Sequence, residues 1–221
     1  EWRRTDEWLI PSGVIDRMAP YAASGGAIGP DGWLYVLGHD RQADACTAWH
    51  RAGRRLARSL DELAGNCRTV LLAVFDTAGV MQIAEGPGGL SRHAGVTTVV
   101  DCSTGDPEGL QALAARLATR GVCFIEAPLS GSSAQIAAGE ATMLLGGDTL
   151  AIDRHAALLS AITSKRVHVG GPGMAARAKL ATNLVLGLNR AALAEGMVFA
   201  EREGIPPETF LQLVLATPAR S

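Results

Sequence analysis

The sequence predicts an α/β fold: a doubly wound parallel sheet followed by a long interdomain helix and a partial all-α domain. Two observations lead to this prediction. From Trp33 to Ile162, short apolar runs alternate with stretches of helical periodicity, the pattern of a parallel sheet with helices on its faces. From Met174 to Glu203 the alternation stops, and the chain has neither a strand pattern nor a proline. A helix of this length exceeds the ordinary globular range, so we expect it to join two domains.

The first predicted elements lie in the N-terminal third of the chain. The short apolar run Trp33–Leu37 indicates a strand, and the stretch Ala45–Arg54 has helical spacing. Ser59, with Glu62 three residues later, forms a capping box that marks the start of the next helix. The apolar segment Thr69–Phe75 is typical of a strand buried on both faces.

The middle of the chain continues the alternation. Gly95–Asp101 is the next predicted strand, and Pro107–Thr119 is a helix whose leucines form one stripe. Gly121–Ala127 and Ala141–Gly146 are predicted strands, and Asp153–Ile162 is a predicted helix.

The C-terminal part is predicted to be helical. The long helix Met174–Glu203 is followed by Gly204, a residue favoured just beyond a helix end, and Pro206 helps to stop it. A second helix begins at Pro207, where the first helical turn accepts proline, and runs to about Ala216. We therefore place a domain boundary between residues 169 and 170.

Composition excludes several classes of protein. The 221 residues carry a net charge of -2, with 20 basic and 22 acidic residues, which argues against a nucleic-acid-binding surface. No apolar run reaches the roughly 18 residues of a membrane helix, and the N-terminus lacks the apolar core of a signal peptide. Four cysteines without a C-x-x-C spacing predict neither a zinc site nor a disulfide framework. They are Cys46, Cys67, Cys102 and Cys123. We expect a cytoplasmic protein that contacts no membrane.

Three strings of residues indicate chemistry. The strings Asp101–Pro107 (D-C-S-T-G-D-P) and Glu126–Gly131 (E-A-P-L-S-G) follow predicted strands, so they lie at the carboxyl edge of the sheet, where open α/β folds bind ligands. Lys179 and Asn183 are four residues apart on the long helix, so both project from one face. This arrangement suits a small oxygen-rich substrate and a lysine that moves a proton. Each residue also has a simpler interpretation, as a helix cap or a solvated side chain.

In this order and spacing, the three strings resemble the β-hydroxyacid dehydrogenases, the family of 3-hydroxyisobutyrate dehydrogenase and tartronate semialdehyde reductase. The resemblance implies that residues 1–169 are a dinucleotide-binding domain like that of 6-phosphogluconate dehydrogenase, and that residues 170–221 are a truncated helical dehydrogenase domain. It implies NAD(P)-dependent interconversion of a small 3-hydroxy acid and its semialdehyde.

The resemblance also assigns roles to residues. Lys179 would be the acid/base, and Asn183 would orient it or the substrate hydroxyl. Thr182 replaces the first asparagine of the family's K-x-x-N-N pattern, and Ser132 replaces the last glycine of its S-G-G pattern. The substrate would be held by Ser103, Ser130, Gly131 and Ser132.

The cofactor is expected to be NADP or NAD. The second strand of such a domain would end at His39-Asp40-Arg41. Asp40 is suited to the ribose hydroxyls of NAD and Arg41 to the 2′-phosphate of NADP, so the choice stays open, with Arg41 favouring NADP. Further cofactor contacts are expected from Phe75, Asp76 and Thr104, at the ends of later strands.

A Rossmann-like domain should begin with a strand, a G-x-G-x-x-G turn and a helix whose N-terminus holds the pyrophosphate. The first thirty residues contain no clean match. One imperfect register uses Gly13; the other uses Gly26–Pro30 (G-A-I-G-P), which leaves no room for a crossover helix before Trp33. A glycine-rich surface loop is the simpler interpretation. We therefore expect the cofactor loop to be degraded or absent.

Two other functions are compatible with the sequence. Imine reductases share this architecture, although Lys179 argues against C=N reduction. A divergent paralogue that binds no cofactor is favoured by the degraded glycine loop. The leucines at 180, 184 and 188 form an apolar stripe along the long helix, whatever the activity of the protein. We expect a homodimer to cover this stripe, and exchange of the helical segments between two chains is one way to form it.

Overall fold

A computed structural model describes residues 25–28, 34–36, 55–57 and 59–219 of the chain. Within these ranges the chain forms one mixed sheet flanked by helices, followed by two further helices. The strands are β1 (Gly25–Ile28), β2 (Leu34–Val36), β3 (Arg55–Leu56), β4 (Thr69–Leu72), β5 (Thr98–Asp101), β6 (Cys123–Glu126), β7 (Leu129–Ser130), β8 (Thr142–Gly146) and β9 (Arg166–Gly170). The helices are α1 (Leu60–Asn66), α2 (Thr77–Glu85), α3 (Pro107–Ala118), α4 (Ser133–Ala137), α5 (Thr149–Arg154), α6 (Ala156–Ile162), α7 (Met174–Arg202) and α8 (Pro207–Ala216).

The centre of the sheet is parallel. The strand order is β3-β2-β1-β4-β5-β6-β8-β7, and β9 pairs with β8. Strands β4, β5 and β6 run parallel and in register, so that Leu72 pairs with Asp101 and Asp101 with Glu126. Their carboxyl ends therefore form one straight edge, from which three consecutive loops emerge.

The flanks of the sheet differ from the expected all-parallel arrangement. Strand β8 runs antiparallel to β6 and β7, and β1 runs antiparallel to β2 and β4. The helix between β6 and β8 is α4, which has five residues. Strand β7 precedes α4, and after α4 the chain turns back so that β8 pairs antiparallel with β7.

Both faces of the sheet are buried. Val99 belongs to one hydrophobic cluster and Val100 to a second, because neighbouring residues of a strand point to opposite faces. Helix α3 covers the first face through its fully buried leucines, and Leu159 of α6 belongs to the cluster on the second face. These observations confirm the predicted doubly wound α/β class.

Several local predictions agree with the structure. Ser59 caps α1 by accepting a hydrogen bond from the N–H of Glu62 at 3.1 Å. Helix α8 has the predicted bounds, and α7 ends one residue before the predicted end. The predicted helix Asp153–Ile162 is instead two short helices that meet at His155. The predicted helix Ala45–Arg54 lies outside the described residues.

The chain divides into two compact units, one that ends at Ala176 and one from Arg177 to the C-terminus. Helix α7 begins in the first unit, and α8 belongs to the second. None of the helices in the described part of the chain combines the length and hydropathy that a membrane span requires.

Candidate functional site

Most of the predicted site residues of the first unit lie on the three loops at the carboxyl edge of β4, β5 and β6. The first loop follows Leu72, the second follows Asp101, and the third, which includes the short strand β7, follows Glu126 and ends where α4 begins. The strand register brings these loops to one edge, as the sequence predicted. The predicted residues found there are Phe75, Asp76, Ser103, Thr104, Ser130, Gly131 and Ser132.

Hydrogen bonds hold the first two loops together. The N–H of Val74 donates to Oγ of Ser103 at 2.9 Å, and the N–H of Asp106 donates to Oγ1 of Thr77 at 2.7 Å. Ser103 is buried. Its hydroxyl therefore accepts a hydrogen bond within the protein, and the most direct effect of Ser103 is to fix the loop that carries Phe75.

Three of the predicted side chains on these two loops are exposed. Phe75 is fully exposed, with a relative accessibility of 101%, and Thr104 is exposed as well. Asp76 is also exposed, but its Oδ1 accepts the N–H of Gly79 at 2.8 Å and so caps α2. An aromatic ring and a hydroxyl are thus presented at the edge where the sheet ends.

Asp101 is a buried carboxyl group below the second loop. Burial raises its pKa, and hydrogen bonds from the side chain and backbone of Ser103 act in the opposite direction. The backbone N–H of Ser103 donates to Oδ1 of Asp101 at 2.9 Å, whereas Oδ2 has no hydrogen-bond partner among the described residues. Burial, with the nearby Asp101, also raises the pKa of the Cys102 thiol to about 12, which makes that thiol a poor nucleophile.

The third loop contains the predicted substrate-binding segment. Ser130 lies in β7 opposite Thr142 and is half-buried. Ser132 caps α4: its Oγ accepts the N–H of Gln135 at 3.3 Å, and its own N–H donates to Oε1 of Gln135 at 2.8 Å. Both polar groups of this capping box are therefore used locally.

Gly131 is required by packing. A β-carbon at this position would lie 2.9 Å from Cβ of Ala141, which is itself buried. The sequence suggested glycine for close approach of a ligand to the backbone, and the contact with Ala141 is a second, independent reason for it.

Lys179 and Asn183 lie one turn apart on α7, in the second unit. Lys179 is buried, and this burial lowers the pKa of its amine below 10.5, the ordinary value for lysine. Asn183 is exposed. Thr182, which replaces an asparagine of the family pattern, donates its hydroxyl to the backbone carbonyl of Lys179 at 3.0 Å. Its hydroxyl is therefore used in a hydrogen bond within the helix.

The candidate cofactor segments near the N-terminus are only partly described. Asp40, Arg41 and Gly13 lie outside the described residues. Gly26 lies inside β1 and pairs with Val36 on one side and Leu71 on the other. The interpretation of this segment as a loop, whether for phosphate or at the surface, is therefore wrong over residues 25–28.

The direction of β1 adds to this correction. Its last residue, Ile28, pairs with Thr69, the first residue of β4. Strand β1 therefore ends at the edge of the sheet opposite to the loop that carries Phe75. A phosphate-binding turn of a dinucleotide fold belongs at the carboxyl edge.

One residue of the second string has a partner that sequence reasoning did not foresee. Glu126 is buried, and its carboxylate accepts backbone N–H groups at the start of α7. The only signal in the sequence was an acidic residue at the end of an apolar strand.

Comparison with known proteins agrees with this geometry. Residues 32–171 match the family model of the NAD-binding domain of 6-phosphogluconate dehydrogenase. Residues 173–221 match the model described as NAD-binding of NADP-dependent 3-hydroxyisobutyrate dehydrogenase. The first match begins after both candidate glycine registers and includes all three loops of the carboxyl edge.

Individual relatives point in the same direction. The chain is 31% identical to 2-(hydroxymethyl)glutarate dehydrogenase of Eubacterium barkeri, over 69% of this chain and 51% of that protein. It is 31% identical to L-threonate dehydrogenase of Escherichia coli K12, over 82% of this chain and 61% of the relative. The chain thus spans about half to three-fifths of the length of these curated relatives.

A solved structure extends the likeness to the fold. The 3-hydroxyisobutyrate dehydrogenase of Salmonella typhimurium superposes with a TM-score of 0.72 at 28% identity, over 85% of this chain and 65% of that one. The parallel centre of the sheet, the loops at its carboxyl edge, the long helix with Lys179 and the matched family models lead to one conclusion: the chain belongs to the β-hydroxyacid dehydrogenase family.

Proposed function

We propose that this chain acts as an NAD(P)-dependent dehydrogenase that interconverts a small 3-hydroxy acid and its semialdehyde, with Lys179 as the acid/base. The observation that supports this most directly is the burial of Lys179, a lysine at the position of the family's proton-transfer residue, with the pKa of its amine lowered. A lysine in water is almost fully protonated near neutral pH and cannot act as a base. Desolvation increases the fraction of neutral amine.

The proposed proton transfer takes place at Nζ of Lys179. In oxidation, the neutral amine removes the proton of the substrate hydroxyl as the carbon loses a hydride; in reduction, the ammonium returns the proton to the carbonyl oxygen. When bound, the nicotinamide supplies the hydride acceptor or donor. Asn183, one turn further along α7, is proposed to orient the substrate hydroxyl.

The described residues fit one side of such a cofactor. Phe75 offers an exposed aromatic face and Thr104 an exposed hydroxyl at the carboxyl edge, and the hydrogen bond from Val74 to Ser103 joins their two loops. We propose that these residues, with Asp76, contact the nucleoside or nicotinamide ribose. Asp40 and Arg41 are proposed to recognise the adenosine ribose. Titration of the protein with NAD and with NADP, and comparison of the two Kd values, decide between the two cofactors.

The substrate carboxylate is proposed to be held by the third loop. Ser130 contributes a half-buried hydroxyl, and Gly131 is exposed, so its backbone N–H is proposed to donate to the carboxylate. Ser132 keeps the loop in place through its capping box with Gln135. Ser103 is proposed to support the substrate through the loop it fixes.

The test of this function uses the small number of lysines in the chain. The sequence contains two, Lys165 and Lys179, and Lys165 is exposed. Lys179→Ala should lower turnover by at least about a hundredfold with little change in cofactor affinity. Lys179→Arg should not restore activity, because a guanidinium does not lose its proton near neutral pH. Lys165→Ala is the matched control and should keep wild-type turnover.

The assay would use 3-hydroxyisobutyrate, L-threonate, 2-(hydroxymethyl)glutarate and L-serine, each with NAD⁺ and NADP⁺. Near-wild-type turnover of Lys179→Ala on any substrate that the wild type oxidises would remove Lys179 from the mechanism. Activity on an imine but on none of these hydroxy acids would favour C=N reduction instead.

A paralogue that binds no cofactor is the second candidate, and one specific observation favours it. The first thirty residues contain no G-x-G-x-x-G, and in a Rossmann-like domain the backbone donors of the turn after the first strand bind the pyrophosphate. Loss of charge-assisted hydrogen bonds, each worth about 1.5–3 kcal/mol, weakens binding by orders of magnitude. We therefore expect NAD(P)H to bind weakly, with a Kd in calorimetric titration well above the low-micromolar range. Low-micromolar binding would contradict that expectation and exclude the paralogue, and undetectable binding would support it.

We also propose a homodimer. Helix α7 exposes a set of large apolar side chains that share one face, which water does not favour. They are Leu180, Leu184, Leu188, Val198 and Phe199.

A further inference from the structure

The start of α7 is a strand, a glycine turn and a helix in direct succession. Strand β9 ends at Gly170, and the residues that follow, Gly171–Ala176, read G-P-G-M-A-A. This is a G-x-G-x-x-A pattern at the entry to a helix, the arrangement that binds a pyrophosphate in dinucleotide folds. The exposed backbone N–H groups of such a turn, with the helix dipole, attract an anion.

Here the anion is the protein's own carboxylate. Glu126, the last residue of β6, is 1% exposed. Its Oε1 accepts the N–H of Gly173, the residue before α7, and its Oε2 accepts the N–H of Ala176 at 2.9 Å. Gly173 has no side chain that can cap the helix, and Glu126 supplies the cap from 47 residues earlier in the chain.

The carboxylate has little freedom to move. Gly146 pairs with Glu126 in the sheet, and a β-carbon on Gly146 would lie 3.0 Å from Cβ of Ala175 and 3.3 Å from Oε1 of Glu126. Ala175 and Ala176 are both fully buried. The first turn of α7 is therefore held against the end of β6 by close packing and by two charge-assisted hydrogen bonds.

Lys179 follows on the next turn of the same helix. It is three residues after Ala176 and four after Ala175, so it shares a helical face with both. A helix is stiff over one turn, because each backbone hydrogen bond links residue i to residue i−4. A shift or rotation of the first turn therefore moves Lys179 with it.

We propose that Glu126 is a positioning residue: its carboxylate takes the place of a bound anion at the glycine turn, fixes the first turn of α7, and so holds Lys179 in the place where it transfers a proton. This rests on the proposed role of Lys179 as the acid/base. Glu126 itself is not proposed to contact substrate or cofactor.

The test compares Glu126→Gln with Asp148→Asn. Asp148 caps α5 by accepting the N–H of Ala151 at 2.8 Å, so each variant replaces a helix-capping carboxylate by the amide of the same shape. Both should lower Tm. A misplacement of about 1 Å costs on the order of a hundredfold in rate, so Glu126→Gln should lower kcat about ten- to a hundredfold with an unchanged KM for the nicotinamide cofactor. Asp148→Asn should keep the wild-type kcat.

A second measurement requires no substrate. Lysine labelled with ¹³C at Cε gives two resonances in the full-length chain, which Lys165→Arg assigns. Glu126→Asp keeps the negative charge and withdraws it by one methylene, so it loosens the first turn without removing a charge near Lys179. In this variant the titration midpoint of Lys179 should move back toward 10.5, the ordinary value, because the loosened turn admits water. In Asp148→Asn the midpoint should not move. Glu126→Asp also replaces Glu126→Gln in the kcat measurement if Glu126→Gln does not fold.

The two proposals fail in different ways. An active Lys179→Ala variant removes the role of Lys179, and the role of Glu126 as a positioning residue fails with it. An inactive Lys179→Ala variant, together with a wild-type kcat in Glu126→Gln and a wild-type Lys179 titration in Glu126→Asp, overturns the proposal for Glu126 and leaves the proposed function intact.

Discussion

Replacing Gly131 by alanine tests the packing of the third loop. The added β-carbon would lie 2.9 Å from Cβ and 3.2 Å from Cα of Ala141, and 3.4 Å from Cβ of Gln135. Carbon atoms are in favourable contact at about 3.5–4.0 Å, and Ala141 is buried, with little room to move away. Overpacking of this kind costs about 1–3 kcal/mol. For a chain of this length, each kcal/mol lowers Tm by about 2–4 °C.

A compensating variant makes the test specific. Ala141→Gly removes the atom at 2.9 Å, so the double variant Gly131→Ala/Ala141→Gly should be more stable than the sum of the two single changes predicts, by about 0.5–3 kcal/mol. Gly65→Ala is the control, since a β-carbon on Gly65 meets no atom of the described part of the chain within 4 Å. Because Gly65 lies within α1, that change should stabilise the chain by about 0.5–1 kcal/mol. Urea denaturation measures all four variants.

The same variants separate packing from binding. If the backbone of Gly131 contacts the substrate carboxylate, the double variant should keep a raised KM for substrate and an unchanged KM for cofactor after its stability has recovered. Recovery of stability and of substrate KM together would mean that Gly131 serves packing alone. A Gly131→Ala variant as stable as the wild type would refute the steric reasoning.

Three further predictions concern the acid/base, the core and the proposed dimer. The oxidation rate should rise with pH through the lowered pKa of Lys179 and the reduction rate should fall through the same pKa, since oxidation needs the neutral amine and reduction the ammonium; pH-rate profiles in both directions check this, and two flat profiles would contradict it. Leu113→Ala, at a fully buried position, should lower the free energy of unfolding by about 2–5 kcal/mol, whereas Leu150→Ala, at an exposed position, should change it by less than about 0.5 kcal/mol; equal losses in urea denaturation would show that the burial is misassigned. Leu184→Glu should shift the mass in light scattering from dimer to monomer, and a wild-type monomer would refute the proposed dimer.

Some elements follow from local signals in the sequence. Helix α3 begins at Pro107 and buries a leucine stripe, and α8 begins at Pro207, because proline, capping residues and apolar spacing act within a few residues of each other. Helix α2 was not predicted: it contains Gly79, and its cap Asp76 was interpreted only as a cofactor residue. Strand β9 was also missed, since its polar and exposed residues do not form a buried run.

The sequence by itself determined the α/β class, the long helix, the family and the loops that carry the candidate residues, because each depends on local periodicity or on the order of short motifs. Only the tertiary structure decided which polar groups are already engaged. Ser103 binds Val74 across 29 residues, and Glu126 caps α7 across 47 to 50 residues. The alternation of apolar residues indicates which face of a strand is buried, but these partners come from elements far apart in the chain, which only the packing of the whole sheet brings together.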